Sequence, residues 1–216
     1  MFDFNELKKL IVPAQFGSDE YNEVTDSMQT VFEQLPLSVQ TVWGATQFVI
    51  IDGANDKVAK IPFTGEFWED DNEAIRFTPY RINYCDFTYK LYRQALDYDI
   101  IDIFAETEYF GTTANDVIIL LQEKVIDYYD RKDCSPSTIS EDSKNKYKSL
   151  KGERSSAWQM FPEDWVTAAI EWYGIDVVRN FFWFCDNNCL DDFHTGNIGW
   201  RKDGSPCVLD WAGFNE

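Results

Sequence analysis

The sequence predicts an α+β protein of two lobes, and three observations carry that expectation. A hairpin pattern stands in the first half, helical spacing fills residues 162–186, and a second short hairpin closes the chain at 198–210. Residues 4–11 (Phe4, Leu7, Leu10, Ile11) are spaced as a short amphipathic helix. Residues 24–35 (Val24, Met28, Val31, Phe32, Leu35) are spaced as another, ended by Pro36. Phe48-Val49-Ile50-Ile51 then reads as a strand, followed by the turn residues Asp52-Gly53-Ala54-Asn55-Asp56. Lys57-Val58-Ala59-Lys60-Ile61 alternates with period two, so the hairpin's second strand is expected to be half-buried. Residues 81–96 return to helical spacing, with Ile82, Cys85, Tyr89, Tyr92 and Leu96 on one face. Two more strands are expected at 103–110 and 117–121, the second a continuous apolar run suited to a buried position.

Residues 131–154 differ in composition. They hold seven basic residues, four acids, five Ser and almost nothing apolar, which reads as an exposed loop. Two helices follow, 162–173 opening with Pro162-Glu163-Asp164 and 175–186 after Gly174. Ile198-Gly199-Trp200, the turn Lys202-Asp203-Gly204 and Cys207-Val208-Leu209-Asp210 make the closing hairpin.

Composition bounds the function. Lys plus Arg number 19 against 38 Asp plus Glu, a formal net charge of −19, while aromatics make up 17% of the 216 residues. That much aromatic surface supports a folded core, and so acidic a chain repels nucleic-acid phosphates. Direct nucleic-acid binding is therefore not expected. The longest apolar runs are about five residues, far below the roughly 20 of a membrane-spanning helix, so neither a membrane segment nor a signal peptide is expected. A soluble, intracellular protein is the reading. The five cysteines (Cys85, Cys134, Cys185, Cys189, Cys207) are widely spread, which argues for buried thiols over a disulfide scaffold. A Cys3His zinc set of Cys185, Cys189, His194 and Cys207 has loose spacing and no second tight pair.

The stretch that carries chemistry is Asp191-Asp192-Phe193-His194-Thr195-Gly196-Asn197, with Asp210 eighteen residues beyond Asp192. A carboxylate at Asp192 can take a proton from an attacking hydroxyl. Asn197 and Asp210 supply hard oxygen ligands suited to Mg2+. Phosphoryl transfer needs little more than a cation on the phosphates, and Lys60, late on a strand, can provide it. His194 is the only histidine, with no Ser-His-Asp or Cys-His signature around it, and reads as a hydrogen-bonding residue of the loop.

With these residues the chain resembles the protein-kinase-like superfamily, most closely its aminoglycoside and choline phosphotransferase branch. There the loop reads H-G-D-L-H-x-G-N and a later I-D-W supplies a metal aspartate. Here Leu190-Asp191-Asp192-Phe193-His194-Thr195-Gly196-Asn197 and Leu209-Asp210-Trp211 occupy that pattern. Gly199, Asp210 and Gly213-Phe214 also look like the ending of a short kinase-like form met in bacteriophage genomes. The resemblance implies a two-lobed minimal kinase-like fold: residues 1–125 as an N-terminal extension and N-lobe, an antiparallel sheet with one helix, and 126–216 as a truncated helical C-lobe carrying the exposed loop 131–154. It implies Asp192 as catalytic base, Asn197 and Asp210 as metal ligands, and Lys60 as the phosphate-binding lysine. Gly44 would serve in a reduced phosphate loop, and Glu123 to Val125 as the hinge that holds adenine. ATP and Mg2+ are the implied cofactors, and a host-cell cytoplasm the implied compartment for a phage-encoded chain. Leu190 stands where the pattern has its first His, only Gly44 remains of a glycine-rich loop, and Asp86 is the best acidic partner for Lys60. The chain runs six residues past Asp210, so the helices that dock peptide substrates are expected to be missing.

A second reading starts from the acids. Residues 97–130 carry nine of them (Asp97, Asp99, Asp102, Glu106, Glu108, Asp116, Glu123, Asp127, Asp130) against Lys124 alone. That density suits a soluble acidic face, or a surface that mimics nucleic acid and occupies the basic groove of a partner protein. Two functions therefore stand: an ATP- and Mg2+-dependent phosphotransferase of unknown acceptor, and a catalytically silent kinase-like protein that binds a basic partner.

Overall fold

Strands of the first half and helices of the second fold into an α+β chain, as the spacing predicts. The computed structural model describes residues 1–12, 14–16, 31–43, 47–69, 74–79, 84–133, 139–151, 157–190 and 192–211. Gly44, Asp191, Gly213 and Phe214 lie outside them, as do residues 24–30 of the expected second helix; residues 31–33 are helical. Two compact units form. The first comprises Met1–Tyr89 and Thr107–Glu123, the second Lys90–Glu106 and Lys124–Glu216.

In the first unit, the short helix expected over 4–11 is a 3-10 helix, Phe4–Lys9. Its buried Leu7 and the buried Leu10 at its C-cap lie three apart, which a threefold helix aligns on one line, and Asp3 caps it by accepting from the Asn5 N–H at 2.9 Å. The strands are β1 (Gln15–Phe16), β2 (Val39–Trp43), β3 (Gln47–Asp52), β4 (Lys57–Pro62), β5 (Gly65–Glu69) and β6 (Ile75–Pro79). Helix α1 (Tyr84–Gln94) begins in this unit, and β7 (Thr107–Thr112) and β8 (Ile118–Glu123) complete it. Strands β2, β3, β4, β8 and β7, in that order, make a five-stranded antiparallel sheet, while β1, β5 and β6 make a smaller one. The strand expected at 103–110 is displaced: Ile101–Ile103 is a 3-10 turn, and pairing begins at Thr107.

Strand β4 is buried along nearly its whole length, where alternation predicts a half-exposed strand. Both its faces are covered. Ala59 and Ile61 join Phe48, Ile50, Ile119 and Leu121 in a core sealed by Leu7, Leu10 and Val12 of the N-terminal segment. Lys60 alternates to the opposite face, level with Val49 and Leu120 in the neighbouring strands. Helix α1 meets the strand there, the Cys85 Sγ lying 3.9 Å from the Lys60 carbonyl oxygen. The buried residues of the helix and the turn after it are Cys85, Thr88, Leu91 and Ala95, so the expected stripe is shifted and Leu96 turns outward.

The second unit adds β9 (Ile126–Asp127), α2 (Glu141–Leu150), α3 (Glu163–Tyr173), α4 (Ile175–Asn187), β10 (Ile198–Trp200) and β11 (Pro206–Val208). Strand β10 pairs antiparallel with both β11 and β9. Its core is aromatic: Phe161 stacks on Trp165 at 4.9 Å, Phe104 meets Trp211 edge-on at 4.9 Å, and Phe181, Phe182 and Phe184 are buried among them. Arg201 pins residues 102–104 to the closing hairpin, donating to the Asp102 and Phe104 carbonyls at 3.0 and 2.8 Å.

Helix α2 corrects the exposed loop expected over 131–154. Ser140 caps it, accepting from the Ser143 N–H at 3.2 Å, and Lys144–Glu141 and Lys146–Asp142 pair at helical spacing. Only Ser143, Tyr147 and Leu150 are buried, a stripe too narrow to register as amphipathic in composition. Among the described residues no helix is long and apolar enough to cross a membrane.

Candidate functional site

The loop between α4 and β10 is built by a few short-range constraints. Helix α4 ends at Asn187, Cys189 adopts a left-handed conformation (φ 52°), and the Leu190 N–H returns to the Cys185 carbonyl at 2.9 Å. Leu190, which replaces a histidine of the resembled pattern, is buried and anchors the loop by apolar packing. Phe193 is buried too, its ring 4.7 Å from that of Phe161. These two anchors leave Asp192 between them half-exposed.

The loop is then tied internally. The Asn197 amide donates to the Asp192 carbonyl at 2.6 Å, and its N–H to the His194 carbonyl at 2.9 Å. His194 Nδ1 accepts from the Gly196 N–H at 3.0 Å, so when the ring is neutral its proton sits on Nε2. That nitrogen lies 3.8 Å from Asp192 Oδ1, a near contact too long for a direct hydrogen bond. A Cβ on Gly196 would come within 2.8 Å of the His194 ring, so glycine is needed for this turn. Tyr129, on the segment after β9, meets the Thr195 hydroxyl at 2.9 Å.

Asp210 reaches the same place by pairing. The Asn197 carbonyl accepts from the N–H groups of Leu209 at 2.8 Å and Asp210 at 3.3 Å, just past the β10–β11 ladder. Gly199 lets that ladder close on β9: a Cβ there would stand 2.5 Å from the Ile126 carbonyl oxygen. Trp211 is fully buried, stacked on Tyr92 at 6.0 Å, and so fixes the chain beside Asp210.

Asp192, Asn197 and Asp210 are thus brought together within the second unit. Because the Asn197 amide nitrogen is committed to Asp192, its side-chain oxygen keeps its acceptor capacity; with the Asp210 carboxylate this is the hard-oxygen chemistry that Mg2+ takes. Lys60 belongs to the first unit, only 6% exposed, with Asp86 in the first turn of the helix whose Cys85 touches its carbonyl. Glu123 is the last residue of the first unit and Val125 the second of the following segment, both half-buried. Gly44 lies outside the described residues.

The thiols divide. Burial pushes the Cys185 thiol well above its ordinary range, with Asp186 adding to the effect, which disfavours the thiolate a nucleophile or metal ligand needs. Cys207 is buried and Cys189 exposed, and among the described residues no group of three or more His, Cys, Asp or Glu gathers as a metal site. Sequence reasoning missed the ties made by Tyr129 and Gly196. Gly196 lies in the Asp192–Asn197 stretch that the sequence singles out, whereas Tyr129 gives no local signal. No protein-family model, characterised protein or solved structure matches the chain.

Proposed function

We propose that the chain is an ATP- and Mg2+-dependent phosphotransferase of the kinase-like type. The observation that carries this reading is the double tie of Asn197, whose amide holds the Asp192 backbone while its carbonyl holds that of Asp210. One residue thereby organises the base and both metal-ligand positions of the resembled pattern. The five-stranded antiparallel sheet with α1 supports the same reading, since it sets a lysine inside at β4.

In this reading Asp192 orients the acceptor hydroxyl and takes its proton. Lys60 balances phosphate charge, and the backbone between Glu123 and Val125 receives the base. Asn197 and Asp210 would hold Mg2+, which when bound neutralises phosphate charge.

A thermal-shift titration with ATP, with and without Mg2+, tests the proposal. Saturation at about a hundredfold over Kd stabilises by about 2.7 kcal/mol, a readily measured rise in Tm. Asp210→Ala should abolish the Mg2+-dependent part of the rise while leaving the fold intact. No shift in the wild type at millimolar nucleotide would refute the reading.

The second reading, a silent protein that binds a basic partner, has its own observation. Of the nine acids in 97–130 all except Glu123 are exposed, a density that the nucleotide chemistry does not use. Here Asp192→Ala leaves the biological effect intact, whereas charge reversals within 97–130 remove it.

A further inference from the structure

Leu96-Asp97-Tyr98-Asp99 are four consecutive exposed residues held between two fully buried ones, Ala95 and Ile100. Leu96, which helical spacing places inside, is 43% exposed, and so is Tyr98. The turn is closed by its own backbone. The Ile100 N–H donates to the Ala95 carbonyl at 3.2 Å, the Asp99 N–H to that of Leu96 at 3.3 Å, and Asp99 is left-handed at φ 55°. Its side chains are therefore presented from a fixed frame.

Helix α4 packs beside this turn. Tyr98 stands edge-on against Phe184 at 5.2 Å, and Trp183, next to Phe184 on the helix, is 61% exposed. The carboxylates of Asp97, Asp99 and Asp102 enter no ion pair among the described residues. Exposed aromatic rings and exposed carboxylates suit guanidinium and ammonium groups, which stack on the rings and pair with the acids. The net charge of −19 selects among occupants, since it opposes a second copy of the chain, an anionic lipid surface and a nucleic acid alike.

We propose that the 96–99 turn together with Trp183 is the docking surface for an arginine- and lysine-rich polypeptide segment of a partner protein. This rests on the basic-partner reading above. Aromatic anchors supply the hold, and Asp97, Asp99 and Asp102 supply the approach and its salt dependence.

The test is titration of labelled nona-arginine into the full chain, followed by anisotropy at low and moderate salt. Trp183→Ala, and separately Asp97→Asn with Asp99→Asn, should each weaken binding by about fivefold or more. The control pair Glu108→Gln with Asp116→Asn removes the same charge from the first unit and should weaken it by less than about twofold. Circular dichroism and urea unfolding confirm that each variant is folded. Equal weakening by the control pair, or full affinity in Trp183→Ala, overturns the docking surface, because the peptide then reads only net charge. Absence of binding to the wild type overturns the basic-partner reading itself. A wild-type dimer in sedimentation that Trp183→Ala dissociates assigns the patch to a second copy, and also overturns the proposal.

Discussion

Tyr173, on α3, donates its hydroxyl to the Pro206 carbonyl at 2.7 Å and accepts from Arg201 at 2.9 Å. Burial pushes its ionisation up to about 12, against the pull of Arg201 and Ser205. The folded chain keeps a proton that the unfolded chain releases near pH 10, so this contribution is complete below about pH 10 and lost as pH rises toward 12. Urea unfolding should show a steeper loss of stability across that window in the wild type than in Tyr173→Phe. At neutral pH the same substitution should cost about 1–2 kcal/mol, since Arg201 and Pro206 each lose a partner. Gly199→Ala should cost about 1–3 kcal/mol in the same measurement, because its methyl would press on the Ile126 carbonyl oxygen at 2.5 Å. At this scale the sequence is most readable. Asp192, Asn197 and Asp210 follow from spacing, because a loop and a hairpin place residues by local geometry. The burial of Lys60 does not, because it depends on a helix that begins only at Tyr84.

Helix α2 shows what composition conceals. The Glu171 carboxylate of α3 accepts from the Ser140 hydroxyl at 2.5 Å and from its N–H at 3.0 Å, and Ser140 in turn caps α2. Ser140→Ala should therefore lower stability by about 1 kcal/mol in urea unfolding, the usual worth of an N-cap. The hydrogen bonds from Ser140 and Ser143 hold Glu171 below its ordinary range. That contribution is present above about pH 4.5 and lost as pH falls through the folded value, so acid should loosen this junction, and Ser140→Ala should flatten the dependence. Ser140-Glu141-Asp142-Ser143 is a legible cap, and the i,i+3 and i,i+4 pairs are legible too, yet a segment with two buried apolar residues reads as solvated. Strands β5 and β6 went unread for another reason. Strand β5 opens on Gly65, which lies close under Phe77 of β6, where a Cβ would meet its ring at 2.8 Å, and glycine carries no strand propensity signal.

For the whole molecule, the −19 charge is a cost to compactness that salt relieves. Tm should rise as sodium chloride increases from low to moderate concentration, and the rise should shrink when several exposed acids of 97–130 are neutralised, a comparison made by scanning calorimetry. The charge and the α+β class were legible because both are sums over many residues. The assignment of residues to the two units rests on contacts distant in sequence. Residues 90–106 belong to the second unit, held there by Arg201 and by the Ala105 N–H on the Val208 carbonyl at 2.8 Å. Contacts across about a hundred residues leave no trace in local periodicity.

That last bond has a consequence during synthesis. Ile100, Ile103 and Phe104, all buried in the finished chain, leave the ribosome long before Val208, Phe181 and Trp211, which meet Phe104 there. At about 5–20 residues per second the nascent polypeptide carries this uncovered apolar stretch for roughly 5–20 s. Vectorial folding can finish the five-stranded sheet first, while the stretch waits as a chaperone-sized hazard. A ribosome stalled after the stretch has cleared the exit tunnel but before Phe181 is made should expose it indefinitely, and the truncated product should be captured by holdases or aggregate where the full chain does not.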